Sequence, residues 1–154
     1  MRLTSLIQAL PLQSIQNQNN PEILDITIDS RKVKQGSLFI ALTGSQYDGH
    51  LFIPQAIQQG ASAIILEKPI PGDFSIPLIR VDSSRIAFSL IMQAWYGYPS
   101  REMQLTAVTG SNGKTSTAYL LYSLFNRLMG KTGLIGTAGY FSGTNRLDTP
   151  LAGP

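Results

Sequence analysis

The chain has 154 residues, 43% of them hydrophobic and only 14% charged, with a net charge of +3. That balance is globular and excludes an intrinsically disordered chain, and the scattered basic residues, clustered only at Arg31-Lys32-Val33-Lys34, argue against a nucleic-acid-binding surface. The absence of cysteine excludes disulfides, thiol catalysis and cysteine-ligated metals, and the lone His50 cannot build a histidine metal cluster.

The apolar stretch at the N-terminus is too short for a signal peptide, and no run approaches the roughly 20 apolar residues of a membrane-spanning helix. The expected location is the cytoplasm, with no membrane insertion. Leu3 to Leu10 reads as a short amphipathic helix stopped by Pro11, and the polar run Gln13 to Asn20 as a loop or irregular edge. Ile23 to Ile28 alternates apolar and polar residues, which predicts a strand, and Ser37 to Leu42 is apolar enough for a strand buried on both faces. Thr43 to His50 reads as a loop with glycines at Gly44 and Gly49, followed by a helix over Leu51 to Gln59 with Gly60 as its C-terminal cap. Ala61 to Leu66 and Leu78 to Val81 read as further buried strands, separated by a proline-rich loop. Asp82 or Ser83 can cap a helix to about Tyr96 whose apolar positions include Ile86, Leu90 and Ala94.

Gly97-Tyr98-Pro99-Ser100 breaks that helix and marks an expected domain boundary, giving residues 1–98 and 99–154. Beyond it the pattern restarts with a strand at Leu105 to Val108, a glycine-containing loop, a helix from about Lys114 to Met129, and a strand at Gly133 to Tyr140. Strands alternating with helices imply an α/β fold. The expectation is a small N-terminal α/β domain followed by the incomplete start of a parallel-sheet domain. A start that short cannot bury both faces of a parallel sheet.

The sharpest chemical signal is Val108-Thr109-Gly110-Ser111-Asn112-Gly113-Lys114-Thr115-Ser116, set between an expected strand and an expected helix. Glycines let backbone N–H groups approach phosphate oxygens, and a helix N-terminus adds free donors and partial positive charge. Lys114 is placed to reach the outer phosphates, and the Thr115 hydroxyl to ligate Mg²⁺. The spacing departs from the general phosphate-loop pattern, which wants a glycine where Val108 stands.

With these residues a family becomes visible. Thr109 to Ser116 resembles the ATP loop of the Mur ligases, the ATP-dependent amino-acid-adding enzymes of peptidoglycan synthesis. Asp29 to Leu42, then Gly44 and Asp48-Gly49-His50, then Ile57 to Ile65, resemble the uridine-nucleotide-binding domain of the same family. Lys131 to Tyr140 is similar to the segment after the ATP-loop helix in its tripeptide-synthetase branch, MurE; the asparagine-rich stretch expected there in the MurF branch is absent.

The resemblance implies roles for single residues. Gly110, Ser111, Asn112, Gly113, Lys114, Thr115 and Ser116 match the ATP loop, with Lys114 catalytic and Thr115 on the metal. Ile28 and Ser30 match positions that hold uridine, and Ser45, Gln46 and Tyr47 match a loop lining the same nucleotide. Thr149 matches one threonine of an Asn-Thr-Thr-Pro motif that contacts the muramoyl substrate. Here that motif reads Leu147-Asp148-Thr149-Pro150, a departure at two of four positions that leaves the substrate open.

The implied whole protein is a monomeric, ATP- and Mg²⁺-dependent ligase of cell-wall biogenesis, and hence of cell shape and division. It adds a diamino acid to UDP-N-acetylmuramoyl-L-Ala-D-Glu, and this chain alone is expected to be inactive. Three other readings stand beside it: another ligase of the superfamily, including a MurF-like one; a non-catalytic UDP-sugar-binding module; and an unrelated phosphate-loop GTPase or ATPase. Asp29 and Arg31 can equally form a local ion pair, Asp48-Gly49 a turn, and His50 a structural helix start.

Overall fold

A buried parallel ladder organises the first part of the molecule. The computed structural model describes residues 1–44 and 48–147. In it β2 (Asp25–Thr27), β3 (Ser37–Ile40), β4 (Ala63–Leu66) and β5 (Leu78–Val81) run parallel, while β1 (Leu12–Gln16) pairs antiparallel with β5. The sheet order is β1-β5-β4-β3-β2. Every residue of β3 and β4 is buried, because helices cover both faces of a parallel sheet.

Strand periodicity sorts the apolar side chains between those faces. Leu38, Ile40, Ala63 and Ile65 pack with α1 (Leu3–Ile7) and α3 (Ser84–Trp95). Phe39, Ala41, Ile64 and Leu66 pack with Ile53 and Ala56 of α2 (Ile53–Gln58). The strands sit where the apolar runs predict them, shortened at their ends. The expected helix over Leu51 to Gln59 divides into a 3₁₀ turn, Gly49–Phe52, leading into α2.

Two local readings are settled by the structure. Part of the polar run Gln13 to Asn20 is the irregular edge rather than the loop: β1 is an exposed edge strand whose register shifts between Leu12 and Ser14, and its ladder with β5 defines it. In α3 the buried face is Ser84, Ala87, Ile91 and Ala94, whereas Ile86 is 58% exposed. Both stripes have helical spacing. What sets the rotation is Ser84, only 1% exposed, whose N–H and hydroxyl both donate to Glu67 Oε1 at 2.7 Å.

Two compact units make up the protein, Met1–Met103 and Gln104–Pro154. In the second, α4 (Lys114–Leu128) precedes an antiparallel meander of β6 (Gly133–Gly136), β7 (Gly139–Ser142) and β8 (Asn145–Leu147). The single strand expected over Gly133 to Tyr140 is thus a hairpin, folded at Thr137-Ala138 and followed by Gly139 at φ +131°. Leu105 to Val108 forms no strand among the described residues, since an extended segment becomes one only with a ladder partner. Tyr119 and Tyr122 of α4 pack edge-on or tilted against Phe141 of β7, with ring centroids 5.6 and 5.9 Å apart. None of the described residues of this unit is fully buried.

Candidate functional site

The candidate phosphate loop is shaped by two glycines in the left-handed half of backbone space, Gly110 at φ +149° and Gly113 at φ +77°. A Cβ at either would meet no atom closer than 3.7 Å, so the demand there is conformational, not one of space. Gly113 is the N-cap of α4, so the helix lacks a capping side group, and no acidic residue lies in its first turn. Among the described residues, the N–H groups of Gly110 through Ser116 donate to no backbone carbonyl. An uncapped 15-residue helix with unpaired donors is a ready anion site.

Lys114 opens α4 and folds back over the loop. Its ammonium donates to the carbonyls of Gly110 at 2.5 Å and Ser111 at 3.2 Å. The loop and its cation therefore form one curled unit, exposed from Ser111 to Thr117. Thr115 and Ser116 place hydroxyls in the first turn. No cluster of three His, Asp or Glu side chains able to hold a metal occurs among the described residues. The Thr115 hydroxyl is the group that would hold a divalent cation arriving with a phosphate ligand.

Two further candidate residues, Ile28 and Ser30, lie at the C-terminal edge of the first unit's parallel sheet, where open α/β sheets place their ligands. Ser30 follows β2, opens a 3₁₀ turn at Ser30–Lys32, is 7% exposed, and donates its hydroxyl to Gln55 Oε1 of α2 at 3.3 Å. Ile28, just before it, is 43% exposed and available to an aromatic ring. Between them Asp29 caps the turn and receives two bonds from the Arg31 guanidinium, at 2.9 and 2.8 Å. The Arg31 guanidinium holds the Asp29 carboxyl down at about 2, so this pair takes the structural role open to it. Ser45, Gln46, Tyr47 and Thr149, with Asp148, lie outside the described residues.

A polar network at the same edge carries no sequence signature beyond Asp48-Gly49-His50. His50 Nδ1 lies 2.6 Å from Asp48 Oδ1, while its Nε2 accepts the N–H of Glu67 at 2.9 Å and of Lys68 at 3.3 Å. Two donors on Nε2 assign the proton to Nδ1. Asp48 Oδ2 accepts from Lys68 Nζ at 2.6 Å, and Thr43 donates to Glu67 Oε2 at 2.8 Å. Lys68, then the N–H and ring of His50, hold the Asp48 carboxyl well below the ordinary range. Burial pushes Glu67 up, but the Ser84 N–H, the Ser84 hydroxyl and Thr43 outweigh it, and the carboxyl ends below its usual value.

That network pins the base of the loop expected to line a nucleotide. Thr43 and Asp48 form an isolated bridge, and the Gly49 N–H donates to the Leu42 carbonyl at 2.8 Å.

Two family models match the chain in order: "Mur ligase family, catalytic domain" over residues 22–96 and "Mur ligase middle domain" over residues 108–152. Curated relatives are named UDP-N-acetylmuramoyl-L-alanyl-D-glutamate--2,6-diaminopimelate ligase. That of Bacillus velezensis is 42% identical over 138 residues, covering 89% of this chain and 28% of the relative. That of Listeria monocytogenes is 40% identical over 154 residues, covering 100% of this chain and 31% of the relative. The chain thus spans under a third of the length of these relatives. Among solved structures, MurF from Acinetobacter baumannii superposes with a TM-score of 0.62 at 31% identity, over 81% of this chain and 27% of that one. A UDP-N-acetylmuramoyl-L-alanyl-D-glutamate--2,6-diaminopimelate ligase shares the fold at a TM-score of 0.62 and 22% identity, over 95% of this chain and 29% of that one.

Proposed function

The chain belongs to the Mur ligase family, and on that premise we propose that it carries the nucleotide-sugar-binding domain and the ATP loop of a MurE-type ligase. The reaction is amide-bond formation at the D-Glu carboxyl of UDP-N-acetylmuramoyl-L-Ala-D-Glu. ATP phosphorylates that carboxylate, and the amine of a diamino acid displaces phosphate. The relatives' names point to 2,6-diaminopimelate as that diamino acid. The observation that carries the reading is the phosphate loop, uncapped and lysine-led, following a domain that matches the family's first model.

In this reading the uncapped amides from Gly110 to Ser116 receive the phosphates, and Lys114 exchanges its two loop carbonyls for the transferring phosphoryl oxygens. The Thr115 hydroxyl would hold Mg²⁺, which would supply charge neutralisation at the phosphates. Ile28 and Ser30 receive the uridine at the sheet edge; Ser45, Gln46 and Tyr47 are assigned to the same nucleotide and Thr149 to the muramoyl part by the family resemblance, and all four lie outside the described residues. The whole enzyme works as a cytoplasmic monomer; among the described residues no helix is long and apolar enough to cross a membrane.

Calorimetric titration of the protein with UDP-N-acetylmuramoyl-L-Ala-D-Glu and, separately, MgATP tests both sites. Binding of the muramoyl nucleotide that weakens in Ser30→Ala, and of MgATP that disappears in Lys114→Ala, is the expected pair. MgATP binding unchanged by Lys114→Ala overturns the role of the loop.

A further inference from the structure

The freedom that suits the loop to phosphate also leaves it open to attack from within. Asn112-Gly113 is the sole Asn–Gly pair in the sequence. Glycine offers no substituent to shield its backbone nitrogen, and both residues are exposed. Among the described residues the Gly113 N–H donates to no acceptor, and the Asn112 amide group makes no hydrogen bond. We propose that Asn112 is a site of spontaneous deamidation, and that the modification disables the phosphate loop.

The chemistry needs only water and a base. The Gly113 nitrogen loses its proton to solvent base and attacks Cγ of Asn112. A new N–Cγ bond closes a five-membered imide, and the Cγ–Nδ2 bond breaks to release ammonia. Water then opens the imide at either carbonyl, leaving aspartate or isoaspartate at position 112. The N-terminus of α4 stabilises the anionic nitrogen and the oxyanion of the addition step.

The other asparagines are placed differently. Asn20 precedes Pro21, whose nitrogen has no proton to lose. Asn17 donates to the Ser75 carbonyl at 2.9 Å, and Asn126 accepts from the Thr132 N–H at 3.0 Å. Asn19 donates to the same Ser75 carbonyl, and Asn145 is followed by the bulky Arg146. Only Asn112 combines an unengaged amide, a glycine neighbour and a helix start.

The product is a carboxylate where an incoming phosphate would lie. Isoaspartate also lengthens the backbone by one methylene, shifting the amides out of register with the phosphate oxygens. This consequence rests on the ATP-loop reading; the modification itself does not.

The test incubates the protein at mildly alkaline pH, with and without MgATP. Mass spectrometry of the tryptic peptide Glu102–Lys114, and methylation by an isoaspartate-specific methyltransferase, follow the conversion. Asn112 is expected to convert faster than every other asparagine, MgATP to slow it, and Asn112→Gln to remove the methyl-accepting product. Conversion at Asn112 no faster than at the other asparagines overturns the proposal. Rapid conversion that MgATP does not slow leaves the modification site standing and counts against the ATP-loop reading.

Discussion

Gly49 shows how closely backbones approach at the sheet edge. A Cβ there would lie 2.8 Å from both the N and the O of Leu42, main-chain atoms that cannot swing aside. Gly49→Ala should therefore cost about 1–3 kcal/mol, read as a lowered urea midpoint with an unchanged m-value. A midpoint equal to wild type would show that the Leu42 strand end can yield. The acidic residues give a second prediction. Asp29, Asp48 and Glu67 are all held below their ordinary values in the folded protein. The unfolded state therefore binds protons more readily, so their stabilisation is complete above the unfolded values and fades as pH falls through the folded ones. For Asp29 the window runs from 3.8 down to about 2. Stability should drop across that range, more so at low salt, because the Arg31 and Lys68 partners are solvent-exposed. In Lys68→Met the Asp48 carboxyl should move back toward its unfolded value, so stability should be lower at neutral pH and its acid-dependent loss smaller; an unchanged acid limb would contradict the Lys68–Asp48 pairing.

Helix α3 separates two faces that its sequence cannot separate. Ile91 is fully buried beneath the sheet and Ile86 is 58% exposed. Ile91→Ala should cost about 2–5 kcal/mol and Ile86→Ala within about 0.5 kcal/mol, measured by thermal or urea unfolding. Equal costs would mean that the helix is rotated from the orientation seen. Ile86 and Leu90 have the same helical spacing as Ala87 and Ile91, and the choice rests on Glu67, 17 positions from Ser84, reaching it across the sheet edge. Long-range partners of this kind also explain why the His50 network is hidden from local reading. Apart from Asp48–His50, its contacts join residues 17 to 24 apart, and no local pattern marks Glu67 as anything but the first residue of a loop. By contrast β3 and β4 are legible, because only an apolar, β-branched run suits a strand covered on both faces. The loop before α4 stands out for a different reason: its glycines, lysine and hydroxyls are contiguous, so no tertiary fact is needed to bring them together. β1 sits between these cases, exposed throughout and defined by its partner β5.

At the scale of the whole molecule, stability is unevenly distributed. The first unit holds both apolar cores, whereas the described residues of the second include none that is buried, and Leu120, Leu124 and Leu128 line one exposed face of α4. Hydrogen exchange should therefore be slowest in β3 and β4 and much faster along α4, with MgATP adding protection from Gly110 onward. Amides of α4 as slow as those of β4 would refute that ordering. What ties a segment to its unit is the number of apolar neighbours it finds, which spacing alone does not reveal.

A single histidine gives the protein a built-in spectroscopic reporter. Because His50 is alone, a ¹⁵N-histidine sample yields one pair of imidazole nitrogen signals, with no assignment step. One nitrogen should show as protonated and the other as a bare acceptor, since Asp48 faces the first and two backbone amides face the second. Any ligand, substitution or acid treatment that pulls the sheet edge apart would average those two resonances together. The state of an edge built from three separate stretches of sequence can thus be followed through one imidazole ring.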